Sequence, residues 1–172
     1  GAAKVTGTGA PGDVSLMADA GASAVLDFTD AGHASTYLLK LPELEAILST
    51  LIGHLQARDV SAIVIEVADG LYQRETASLL ESERFRASVS GVLMAAQDSL
   101  GATAGAAWLR ERQLPVVGIA GLLTQSPLAS REAGAATSLP VYSLADLRDA
   151  RIAMAPGIPS APASAPTLWV AA

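Results

Sequence analysis

The chain has no cysteine, which excludes disulfides, zinc–thiolate sites and iron–sulfur clusters. That absence agrees with a cytoplasmic setting, the compartment expected here. Aromatic residues are scarce, 4% of 172 positions against 51% apolar, so alanine, leucine and valine must fill the core. Such side chains favour helices packed closely on a sheet over an aromatic-centred sandwich. Basic residues are few as well: 11 lysines and arginines, scattered singly, against 17 carboxylates, for a net charge of −6. No basic patch follows from that distribution, which argues against a nucleic-acid partner. No apolar run reaches the ~18 residues of a membrane span, and the opening GAAKVTGTG lacks the charged-then-apolar layout of a secretion signal. The opening reads as the middle of a fold, so the chain is expected to be a piece of a longer protein. Two further motifs are missing, the phosphate loop GxxxxGK[ST] and the hydrolase elbow GxSxG.

What is present centres on Ser61–Glu75, SAIVIEVADGLYQRE. Its β-branched apolar run, Ala62–Val67, reads as a strand buried on both faces. The run carries one carboxylate, Glu66, and breaks at Asp69-Gly70 into polar Gln73, Arg74 and Glu75. A carboxylate in such a strand is costly unless it is paired, protonated or holding a cation. Ligands of open α/β sheets sit just outside the carboxyl ends of the strands, so this stretch offers a place for chemistry.

In chain order, residues 2–6 read as a strand and Gly7–Asp13 as a glycine-rich loop. Residues 14–20 read as a short helix with Asp13 as its N-cap and Gly21 as its stop. Residues 24–28 form the next strand, followed by a polar loop to His33. Pro42 opens a helix in which Leu44, Ile47, Leu48, Leu51, Ile52 and Leu55 recur at helical spacing, with Glu43 and Glu45 in its first turn. After the central strand come a helix over 73–83, a strand over 87–96, and a helix capped by Asp98 or Ser99 and running to Arg112. A strand over 115–120, a helix over 128–136, a strand over 139–142 and a helix over 144–150 complete the pattern. The alternation predicts an α/β fold: three αβα layers around a mostly parallel, doubly wound sheet of about six strands. This domain covers residues 1–154. Residues 155–172 are a Pro/Ala/Ser-rich tail expected to be extended, with Trp169 as its anchor.

Several groups could carry function. The loop Thr6-Gly7-Thr8-Gly9-Ala10-Pro11-Gly12-Asp13 would cradle an anion with its N–H groups, or be a plain strand-to-helix turn. Gly7, Gly9 and Gly12 also form a GxGxxG pattern, the basis of a dinucleotide-binding alternative. Asp27 stands within its strand rather than at the expected acidic position. Asp13, Asp27, Asp30, Glu66 and Asp69 all fall at strand ends or just after, on one edge of a parallel sheet. As hard oxygen ligands they suit Mg²⁺, and as single residues they suit capping. His54 reads as a surface residue and His33 as a loop residue. Ser35 and Ser99 have no base beside them, Arg74 and Glu75 begin a helix, and Leu100, Trp108 and Leu109 fit a buried helix face.

The segments AKVTGTG, the Glu66 strand with ADG, and GVLMAAQDSLGATAGAAWLRERQLPVVGIAGLLTQSP together resemble the later part of a P-loop NTPase. The class is that of dethiobiotin synthetase and the cobyric acid synthase-like enzymes. Lys4-Val5-Thr6-Gly7-Thr8-Gly9 is similar to the family's K-P-x-x-[ST]-G segment without the proline. Glu66-Val67-Ala68-Asp69-Gly70 is similar to its glutamate-ended strand before Gly-Ala-Gly-Gly, with one glycine kept. Val117–Gly121 matches the later strand but not its base-contacting asparagine. The likeness spans Lys4 to Tyr142, in layout more than identity. It implies that the family's first strand, phosphate loop and first helix would precede Gly1. It also implies Mg²⁺ near Glu66 with Asp13 or Asp27, and ATP phosphates near Lys4, Thr6, Gly7, Gly9 and Gly12. Lys4 and Glu66 would be catalytic in a nucleotide-dependent ligase or transferase acting on a small molecule, inactive as this chain alone. The alternative from a different class is a non-catalytic assembly module, a homo-oligomer built on an open sheet edge.

Overall fold

Strand and helix alternate through residues 1–149 and again reach a strand at 167–171, the residues that the computed structural model describes. Of the described residues, Gly1–Val89 and 167–170 fall into one unit, and 90–149 with Ala171 into a second.

The first unit contains β1 (Ala2–Lys4), α1 (Pro11–Asp19), β2 (Val25–Asp27), α2 (Leu41–Gln56), β3 (Ala62–Glu66), α3 (Arg74–Leu80) and α4 (Glu83–Ser88). β1 lies between β2 and β3 and is parallel to both. Pairing is in step: Lys4 stands opposite Asp27 on one side and opposite Glu66 on the other. α2 forms because its apolar residues return every three or four positions, and Leu44, Ile47, Leu48, Leu51 and Leu55 are buried. Each such burial contributes roughly 1.5–3 kcal/mol, which makes α2 a main support of the unit. The Glu43 carboxylate accepts the Lys40 N–H at 2.9 Å and closes the open amide end of α2. Phe28, Ile63, Ile65 and Val5 fill the core beneath the strands.

The second unit contains β4 (Gly91–Ala95), α5 (Ser99–Glu111), β5 (Val116–Ala120), α6 (Pro127–Thr137) and α7 (Leu144–Leu147), with a 3₁₀ turn at Leu122–Gln125. β4 and β5 are parallel. Asp98 caps α5, accepting the Gly101 N–H at 2.6 Å, and Ser126 caps α6 through the Ala129 N–H at 3.2 Å. Ala102, Ile119, Leu123 and Ala133 form a core cluster. Gly121 is required by its surroundings: its φ is 104°, and a Cβ there would lie 2.6 Å from the Ala96 carbonyl oxygen. The last described strand is β6 (Thr167–Ala171), whose residues 167–170 belong to the first unit and whose Val170 is buried.

The fold is therefore α/β with parallel pairing among three strands in one unit and two in the other. Several expectations are corrected. β3 is not covered on both faces, since Val64 is 46% exposed; an apolar run alone does not say how many faces are covered. The helix expected over 73–83 is two helices, because Ser82 accepts the Phe85 N–H at 2.9 Å and starts α4. α4 runs to Ser88, so the strand expected from Ala87 begins at Gly91. Residues 139–142 supply only a bridge from Val141 to Ile119. Leu100 is 78% exposed, off the buried face of α5. Asp13 does not cap α1, because Pro11 starts the helix earlier and puts Asp13 inside the first turn; the N-cap is Ala10, without a side-chain bond, and the Asp13 carboxylate is engaged by Lys4. Of the tail, residues 155–166 and the Trp169 side chain lie outside the described residues. No described helix is long and apolar enough to cross a membrane.

Candidate functional site

The carboxyl ends of β2, β1 and β3 put Asp27, Lys4 and Glu66 in one row. Neighbouring strands are about 4.8 Å apart, and side chains opposite each other project to the same face. Lys4 and Asp27 are buried and Glu66 is partly so. The Lys4 ammonium donates to the Asp13 carboxylate and lies 4.0 Å from Glu66 Oε1. Burial pushes the Lys4 pKa down, but the hydrogen bond to Asp13 and the charges of Glu66, Asp13 and Asp69 outweigh it and hold it above its ordinary value. Glu66 is raised, chiefly by burial and further by Asp13 and Asp69, while Lys4 pulls it the other way. One ammonium thus sits among more negative charge than it can neutralise.

Buried polar side chains hold the loops around this row. Gly7 has a φ of 127°, and a Cβ there would lie 3.0 Å from Lys4 Cε, so glycine lets the chain pass close over the lysine stem. The Gly7 N–H donates to Thr36 Oγ1 at 2.8 Å, and the Thr36 N–H donates to the Gly7 carbonyl at 2.9 Å. The Thr6 and Thr76 hydroxyls both donate to the Ala68 carbonyl. Glu75, only 2% exposed, accepts the Leu38 N–H at 2.8 Å, the Gln73 side-chain amide, and Arg74 at 2.7 Å. Those donors lower its pKa despite its burial, which acts the other way. The pinned loops enclose a pocket of about 120 Å³ lined by Gly7, Thr8, Ser35, Tyr37, Asp69 and Gln73, among others.

The expected rim is thus assembled in part. Lys4, Asp13, Asp27 and Glu66 come together, and Asp69 acts on Lys4 through its charge. The three-carboxylate metal shell of Asp13, Asp27 and Glu66 does not form a cage: among the described residues no three His, Cys, Asp or Glu side chains group in a way that could hold a metal ion. Asp13 is engaged by Lys4, and Asp27 accepts the N–H and hydroxyl of Thr29. The glycine loop is no open cradle either. The Gly7 amide is bonded to Thr36, the Gly9 amide to the Ala34 carbonyl at 3.2 Å, and Gly12 lies in the exposed first turn of α1. Thr6 is buried and serves Ala68. His54 is exposed on α2, as expected.

Residue type alone did not single out Thr36, Glu75 and Thr76. The available hint was position, since the polar run Gln73–Thr76 directly follows the end of β3. Comparison with family models, with curated proteins and with solved structures finds no match to this chain.

Proposed function

We propose that this chain is the lysine- and carboxylate-bearing part of a nucleotide-dependent enzyme domain of the P-loop type, with ligase or transferase chemistry on a small molecule in the cytoplasm. The observation that carries this reading is Lys4 at the carboxyl end of a middle strand, with Asp27 and Glu66 opposite it and Asp13 on its ammonium. In this reading residues 1–154 belong to a three-layer αβα domain around a doubly wound sheet of about six strands, where ligands lie at strand ends.

Lys4 would release Asp13 to hold a phosphate oxygen of ATP and would stabilise charge on it. A divalent cation fits the surplus of carboxylates, because Asp13, Glu66 and Asp69 all act on one ammonium. Mg²⁺ is commonly held by one or two carboxylates together with phosphates, so no closed cage is needed. Glu66 and the released Asp13 would hold it, Asp27 being committed to Thr29. Bound there, Mg²⁺ would neutralise phosphate charge. The nucleotide fits only in part: the Gly7 and Gly9 amides are bonded within the protein, so most donors must come from a phosphate loop outside this chain. The same two amides leave the dinucleotide alternative without support. Isothermal titration with Mg·ATP tests the reading on this chain and on one extended upstream. Binding is expected in the longer chain and at least roughly tenfold weaker in this one, the loss of several charge-assisted bonds. Absence of heat in both removes the nucleotide.

One observation favours the assembly module instead. Leu100, Leu122 and Leu128 of the second unit are 78%, 60% and 56% exposed, and apolar exposure of this kind marks contact surfaces when it is contiguous. Light scattering separates the two: a clean monomer that still binds Mg·ATP counts against assembly.

A further inference from the structure

We infer that the pocket beside Lys4 is a subsite for a planar nitrogen cation of the guanidinium type, a role that does not depend on phosphate binding at the lysine.

Three independent observations meet there. The first concerns aromatic side chains, which this chain uses sparingly. Phe28, Phe85, Trp108 and Tyr142 are all buried, at 9% exposure or less. Tyr37 and Tyr72 are instead 71% and 82% exposed. Tyr37 lines the pocket, and Tyr72 lies in the Asp69–Gln73 loop, which contributes both of its end residues to the lining. Core packing accounts for the four buried rings and not for these two. An exposed ring at a pocket mouth offers a face on which a planar cation stacks.

The second observation is charge. Lys4 is engaged by Asp13 and Arg74 by Glu75, which leaves the Asp69 carboxylate with no hydrogen bond or ion pair to the described residues. Asp69 lines the pocket with its hydrogen-bonding capacity open, while its charge acts on Lys4 and Glu66 from a distance. An anion is disfavoured by the same group, and the Gly7 amide that would otherwise greet one is turned to Thr36. A guanidinium presents paired donors that match a carboxylate edge and a flat face that matches a tyrosine ring, so both features are used by one head group.

The third is size and rigidity. A pocket of about 120 Å³ suits a small head group, whereas sites for drug-sized ligands run about 300–1,000 Å³. Its walls are set in advance. Thr36 fixes the Gly7 side, Thr6 and Thr76 fix the Ala68 carbonyl next to Asp69, and Glu75 fixes Leu38 next to Tyr37. Preorganised walls lower the ordering cost of binding.

The test follows the tyrosine ring resonances by NMR during titration. The probes are ethylguanidinium, neutral ethylurea of the same shape, and ethylammonium, which is charged but not planar. Saturable shifts of Tyr37 and Tyr72 are expected with ethylguanidinium, and at least tenfold weaker binding with the other two. Asp69→Asn is expected to bring ethylguanidinium and ethylurea within about twofold of each other, since the cation loses its counter-charge. Tyr37→Leu and Tyr72→Leu are each expected to weaken ethylguanidinium roughly three- to tenfold. All three residues are exposed, so folding is not at issue. Nα-acetylarginine amide in a parallel arm distinguishes an arginine side chain from a free small molecule as the source of the head group. Equal binding of ethylurea, or rings that do not move, overturns the assignment. Lys4→Met removes a cation whose charge acts on Asp69, so in the folded variant guanidinium binding is expected to hold or strengthen while Mg·ATP binding is lost. Guanidinium binding that falls together with Mg·ATP binding overturns the separate subsite.

Discussion

Lys4→Met will lower the affinity of the upstream-extended chain for Mg·ATP by about 2–5 kcal/mol, on the order of 30-fold to several thousandfold, the usual cost of truncating one side of a buried charge contact. Methionine keeps much of the unbranched stem that runs under Gly7 and removes only the charge. The loss is larger than that of one hydrogen bond because of what is left behind. Asp13, Glu66 and Asp69 then face the phosphates without the lysine charge that offsets them. Stability will fall too, since Asp13 loses its partner. A thermal melt run beside the titration separates the two effects: the variant must remain folded at the titration temperature. An unchanged affinity in a folded variant would remove Lys4 from the site altogether.

Glu75→Ala will destabilise the protein by about 1–3 kcal/mol for each buried donor left without an acceptor, while Arg74, its ion partner, is 65% exposed and is solvated again. The substitution leaves the Leu38 N–H and the Gln73 amide without their acceptor and opens a void where a buried side chain had been. Glu75→Gln is the gentler variant and exposes the charge alone. The folded-state pKa of Glu75 is depressed below its ordinary 4.5, so its ionised form contributes stability that is fully present above about pH 4.5. That contribution is lost as pH falls through the lower, folded-state value. Urea midpoints for the parent and Glu75→Gln should therefore differ most from neutral pH down to about pH 4.5 and converge below it. Asp146 is also depressed, by the Ser143 hydroxyl and N–H, and adds to the acid limb of both proteins equally. A gap between the two curves that stays constant down to pH 3 would refute the assignment.

Much of the fold was legible because its elements carry local patterns. α2 announces itself through leucine spacing, and Asp98 and Ser126 stand where caps belong. What escaped the sequence was mostly long-range. Glu75 does begin a helix, as expected, but nothing near it in the chain tells that residues 35–38 will close over it. Val64 looks like its neighbours in an apolar run, and only tertiary structure decides which side is covered. Ser82 did carry a local sign, a cap residue followed by Glu83, but the surrounding helix formers masked it. For the site, strand alternation was enough to bring Lys4, Asp27 and Glu66 to one edge. It could not say that Asp13 would turn back onto Lys4, or that the Gly7 and Gly9 amides would be bonded inside the protein. Those outcomes depend on loop paths, which have no period to read.

The stepwise pairing of Lys4 with Asp27 and Glu66 joins three strands that are distant along the chain. Both crossovers must close before the row exists, so an unfolded or half-folded chain has nothing for a ligand to recognise. Occupancy is then linked to folding by mass action: a ligand at a hundred times its dissociation constant raises the unfolding free energy by about 2.7 kcal/mol. A melting-temperature screen across phosphate and guanidinium compounds would thus rank affinities without any assay of turnover.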